Sequence, residues 1–80
     1  MAKYYFERLG RLDEMIRKRK SGPPNLLAKK LGVSRRTVFD YIELMKELGA
    51  TIRYDHTKKS YYYEEKGKFN FRFIKEIEHI

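Results

Sequence analysis

The sequence predicts a mainly α fold class with a small β-hairpin: three helices, then the hairpin, then a short C-terminal strand or extension. Three observations predict it. Apolar residues recur at helical spacing in three segments, separated by Ser21-Gly22-Pro23-Pro24 and by Gly32. After Gly49 the apolar period drops to two. The chain of 80 residues is long enough for one domain, with a modest core in which each large side chain counts.

The first helix is expected over about residues 4–20. Tyr5, Leu9, Leu12 and Ile16 form its apolar stripe, which Phe6 and Met15 widen, while Arg8, Arg11, Arg17 and Lys18 sit largely off it. The run Arg17-Lys18-Arg19-Lys20 places cations at the negative end of the helix dipole and is equally suited to phosphate.

Ser21-Gly22-Pro23-Pro24 ends that helix, and Pro24 suits the first position of the next, where its missing N–H is no loss. The second helix is expected over about 24–31, with Leu27, Ala28 and Leu31 inward and Lys29 and Lys30 outward. Gly32 ends it in a left-handed conformation, and Val33 drops into the gap. Ser34 caps a third helix running from about Arg35 to Leu48. Val38, Ile42, Met45 and Leu48 form its inward stripe with Tyr41 beside them, leaving Arg35, Arg36, Phe39, Asp40 and Glu43 on the other face.

Residues 51–55 and 60–64 alternate as strands around the loop His56-Thr57-Lys58-Lys59. Pairing Asp55 with Ser60 sets Tyr54 opposite Tyr61 and Ile52 opposite Tyr63, so that these four share the buried face and Arg53 and Tyr62 point outward. Phe69, Phe71 and Phe73 alternate as a third strand, and Ile74, Ile77 and Ile80 have the spacing of a short closing helix. The expected division is 1–66 as the domain and 67–80 as a Phe-rich extension, which completes the core or contacts a second copy in a homodimer.

Nineteen basic residues against eleven acidic ones give a net charge of +8, with seven basic and three acidic groups in the first twenty positions. Such an excess suits a polyanion, or serves solubility alone. The absence of Cys excludes a disulfide framework and thiolate metal sites. His56 has no second His at ligand spacing. No carboxylate cluster, His pair or Gly-rich phosphate loop is present, so no enzyme, cofactor or small-molecule ligand is expected. Without a long apolar run or a secretory signal, the expectation is a cytoplasmic protein with no membrane segment.

Two helices joined at Gly32 and followed by a basic hairpin make a winged helix-turn-helix. The run from Leu27 to Val38, with Tyr41-Ile42-Glu43-Leu44, Leu48-Gly49-Ala50, Ile52 and the tyrosine-rich close, resembles the N-terminal DNA-binding domain of bacterial transcription regulators of the DeoR, WYL and biotin-repressor types. The resemblance covers about residues 8–64. The effector-sensing domain that usually follows has the Phe-rich extension in its place here, and Asp40 stands where many such regulators carry a basic residue.

The resemblance implies that the third helix enters the major groove of double-stranded DNA with its N-terminal residues toward the bases. Arg35 and Arg36 then offer bidentate forks to guanine, while Ser34 and Thr37 suit phosphate. Phe39 is placed for a thymine methyl or for packing at the hairpin edge. Asp40 is placed to orient Arg36 or to accept from cytosine N4. Tyr41 is open between the core and a phosphate contact. Lys58 and Lys59 at the wing tip, with Arg53 on its outer face, suit the DNA backbone. The function so implied is sequence-specific DNA binding in transcription regulation. The alternatives are an accessory factor of recombination or plasmid maintenance, or a protein-interaction winged helix.

Overall fold

The structure is a computed structural model and describes residues 2–69. Three helices, α1 (Ala2–Arg17), α2 (Pro24–Leu31) and α3 (Arg35–Glu47), are followed by an antiparallel hairpin of β1 (Ile52–Asp55) and β2 (Ser60–Tyr63). The register is the expected one: Ile52 pairs with Tyr63, Arg53 with Tyr62, Tyr54 with Tyr61 and Asp55 with Ser60. The third strand and closing helix expected after Phe69 lie outside the described residues.

The core forms where the apolar stripes meet. Leu9, Leu12 and Ile16 of α1, Leu27 and Leu31 of α2, Val38, Ile42 and Met45 of α3, and Ile52 and Tyr61 of the hairpin are all buried. Each fully buried aliphatic side chain contributes about 1.5–3 kcal/mol relative to an exposed one, so this cluster holds the helices and the hairpin as one unit. Phe69 packs on its edge.

All three helices end in the same way. Beyond α2, Gly32 turns left-handed (φ 70°), its N–H bonds to the Lys29 carbonyl, and the Val33 N–H bonds to the Ala28 carbonyl. This pair of hydrogen bonds satisfies two end carbonyls, and glycine adopts the turn without steric cost. Gly49 and Ala50 repeat the pattern after α3, bonding to Lys46 and Met45. After α1 the left-handed residue is Arg19 (φ 55°), and the Lys20 N–H reaches back to Met15.

These ends correct two expectations, and Phe6 corrects a third. α1 stops at Arg17 rather than about residue 20, because the turn at Arg19 redirects the chain so that Ser21 enters the core. α3 stops at Glu47, and Leu48 leaves the inward stripe: it lies past the last helical residue and is 60% exposed, while Ala50 packs on the core instead. Phe6 does not widen the α1 stripe inward, being 56% exposed.

Polar links tie the hairpin to the helices. The Ser21 and Ser60 hydroxyls lie 3.2 Å apart, the Ser21 N–H donates to Ser60 Oγ, and the Tyr61 N–H donates to Ser21 Oγ at 2.9 Å. Asp13, also buried, accepts from Arg17 Nε, the Tyr63 hydroxyl and the Phe69 N–H. Among the described residues no buried side-chain polar atom lacks a partner, as a stable interior requires.

Candidate nucleic-acid interface

The start of α3 is built by its cap. Ser34 holds an extended conformation and its Oγ accepts the Thr37 N–H at 3.1 Å; its hydroxyl also lies 2.9 Å from Thr37 Oγ1. The cap satisfies one of the free N–H groups of the first turn. With Val38, Tyr41, Ile42 and Met45 committed to the core, helical geometry turns Arg35, Arg36, Phe39, Asp40 and Glu43 to solvent.

α2, which packs on this helix, is tied to α1 and to the turn after it. Arg11 Nη2 donates to the Lys30 carbonyl at 2.9 Å, and Lys30 Nζ donates to the Lys20 and Ser21 carbonyls at 3.0 and 3.4 Å. Lys30 therefore closes the turn after α1 as well as facing outward, a role that its outward helical phase did not reveal.

The exposed face of α3 has internal structure. The Arg35 guanidinium carbon lies over the Phe39 ring, 5.5 Å from its centroid. Arg35 also lies close enough to the Tyr61 hydroxyl to favour its ionised form, although burial dominates and pushes that phenol up. Tyr61 stacks edge-on against Tyr54, and Tyr54 against His56, each at 4.9 Å. An aromatic row thus runs from the hairpin loop toward the N-terminal end of the helix.

The hairpin loop is shaped by Asp55, whose Oδ1 accepts the Thr57 and Lys58 N–H groups at 2.9 and 3.1 Å. The Lys58 bond is the main reason that the Asp55 carboxyl sits below the ordinary carboxylate range. Lys59 takes a left-handed conformation (φ 52°), and Lys58 and Lys59 are both exposed at the tip.

Of the residues singled out in the sequence, Ser34, Arg35, Arg36, Phe39, Asp40, Arg53, Lys58 and Lys59 are exposed, and Thr37 is half-buried. Tyr41 is not on this surface: it is buried, edge-on to Tyr5 at 5.5 Å, because its helical phase adjoins Val38 and Ile42. Asp40 makes no ion pair with Arg36 among the described residues. Arg53 is engaged, its Nε lying 3.0 Å from Glu64 Oε1, and that hydrogen bond and charge raise its already high pKa.

Sequence reasoning named Arg19 within a phosphate-suited basic run but missed its partner: its guanidinium lies over the outward ring of Tyr62, 4.7 Å from its centroid. The outward register of Tyr62 was a signal for a partner on that face, but periodicity does not reveal a left-handed turn at Arg19. Among the described residues no cluster of His, Asp and Glu is able to hold a metal ion, and no helix is long and apolar enough to cross a membrane.

A family model described as an HTH domain matches residues 11–63, from the second half of α1 to the end of β2. No curated protein and no solved structure matches the chain.

Proposed function

The chain belongs to the family of helix-turn-helix DNA-binding domains of the winged-helix type, and from that premise we propose that it is a sequence-specific double-stranded DNA-binding protein acting as a bacterial transcription regulator. α3 lies in the major groove. The single observation that carries this reading is the Ser34-capped start of α3, which presents Arg35 and Arg36 on the face opposite its buried stripe. Arginine forks at the first turn of such a helix are suited to guanine O6 and N7.

Lys58 and Lys59 contact the DNA backbone from the wing, and Thr37 and Ser34 approach a phosphate at the helix start, where free N–H groups favour an anion. Phe39 and Asp40 complete the base-facing set. A domain of this size covers limited DNA surface, so two copies on adjacent half-sites bind more tightly than one.

Selection of duplexes from a random pool tests the reading. Enrichment of a short motif is expected, and a palindrome reports two copies. On the enriched duplex, Arg35→Ala and Arg36→Ala each weaken binding by about 5- to 150-fold. Unchanged binding by both variants at moderate salt would overturn the assignment of α3.

A further inference from the structure

The stacked pair of Arg35 and Phe39 bears on what this surface reads. Arg35 is the first residue of α3 and Phe39 lies one turn later. Phe39 is 39% exposed on a face whose other members, Arg36, Asp40 and Glu43, are charged. The Arg35 guanidinium lies over its ring, an arrangement that restricts a long side chain before any ligand arrives.

A guanidinium bound to guanine O6 and N7 lies near the plane of that base. Successive bases are stacked about 3.4 Å apart. A ring centred 5.5 Å from the guanidinium carbon is level with the neighbouring base pair when about 3.4 Å of that separation runs along the DNA axis and the rest is lateral. In the major groove the apolar group on that edge is the C5 methyl of thymine; 5-methylcytosine carries the same group.

We propose that Arg35 and Phe39 together read one dinucleotide step, Arg35 taking a guanine and Phe39 the 5-methyl group of the adjoining pyrimidine. The proposal rests on the DNA-binding reading and adds the base step. The Arg–Phe stack sets the distance between the two contacts, so the methyl and the guanine are recognised as a unit.

The test uses the full chain and a duplex enriched from a random pool, with binding followed by fluorescence anisotropy. Each thymine beside a required guanine is replaced by deoxyuridine, which removes only the methyl. One such replacement is expected to weaken binding about fourfold, the worth of one buried methyl group. Phe39→Ala, a surface substitution whose folding is checked by thermal melting, abolishes that difference and keeps the dependence on guanine. Replacing the guanine by 7-deazaguanine weakens the wild type about tenfold, and Arg35→Ala removes this dependence.

A second arm compares cytosine with 5-methylcytosine at the same position. A methyl effect there assigns recognition to the methyl whichever base carries it, and an effect confined to thymine assigns thymine alone. Binding that is indifferent to uracil beside every required guanine overturns the proposal, as does a methyl effect that survives Phe39→Ala; both leave DNA binding intact. A pool that enriches no duplex overturns the DNA-binding reading itself, and this proposal with it.

Discussion

The Tyr63 hydroxyl donates a 2.6 Å hydrogen bond to the buried Asp13 carboxylate, joining α1 to β2 across fifty positions of sequence. The same carboxylate accepts from Arg17 and from the Phe69 N–H, so one acidic side chain gathers α1, β2 and the segment after the hairpin. Asp13→Ala leaves the Tyr63 hydroxyl and the Phe69 N–H without that acceptor. The expected cost is about 1–3 kcal/mol, read as a lower midpoint in thermal denaturation. A midpoint equal to wild type would remove Asp13 from the account of stability.

The same bond gives a dependence on alkaline pH. Burial first, and then the Asp13 hydrogen bond and charge, hold the Tyr63 phenol well above its ordinary pKa. Because the folded value is raised, the stabilisation is complete below the unfolded value, near pH 10. It is lost as pH rises beyond that, since the unfolded chain releases the proton first. Stability is therefore expected to fall above about pH 10, and less steeply in Tyr63→Phe. Urea titrations at stepped pH check this, and parallel curves for the two proteins would contradict it.

Ser34 holds the start of the proposed recognition helix. Ser34→Ala is expected to destabilise the protein by about 0.5–2 kcal/mol, and Ser34→Gly by only a few tenths. Equal midpoints for Ser34→Ala and wild type in chemical denaturation would show that the Thr37 bond is not needed.

Glu64 holds Arg53 on the outer face of the wing. Glu64→Gln removes the competing carboxylate, so DNA binding should tighten and its salt dependence steepen, by a slope of about 0.9 for one added phosphate contact. The Lys58→Ala, Lys59→Ala double variant should shift the slope the other way. Anisotropy titrations over a salt series measure both, and slopes unchanged from wild type would take the wing off the backbone.

Asp55 makes the hairpin loop sensitive to acid. Its folded pKa is depressed, chiefly by the Lys58 N–H bond, so its contribution is present above the unfolded value and lost as pH falls through the folded one. An NMR titration should place its carboxyl midpoint below the usual value of about 3.9, with the Thr57 and Lys58 amide signals moving in step. An ordinary midpoint would mean that the loop bonds do not persist in solution.

Much of the fold was legible because it is written in local terms. The stripes Leu9-Leu12-Ile16 and Val38-Ile42-Met45, the left-handed Gly32, the Ser34 cap and the hairpin register each follow from a few neighbouring residues, and each is present. Arg35, Arg36 and Phe39 were placed on the exposed face by the same helical phase that buries Val38 and Ile42. The burial of Asp13, Ser21 and Ser60 was not legible. Their types suggest surface, and apart from such local partners as Arg17, one turn after Asp13, the partners that make burial tolerable lie 39 to 56 positions away.

The sequence by itself determined three helices, a hairpin with its register and a capped third helix with two arginines in its first turn, because periodicity, capping and turn chemistry act over a few residues. Tertiary structure decided which polar groups enter the core, where α1 stops, that Tyr41 packs inward and Leu48 outward, and that Arg53 is engaged by Glu64 while Arg35 rests over Phe39. Those outcomes depend on which surfaces meet when the helices and the hairpin pack. A buried polar group is stable only where a partner has been brought to it, and a cation is free or engaged according to what the fold sets beside it.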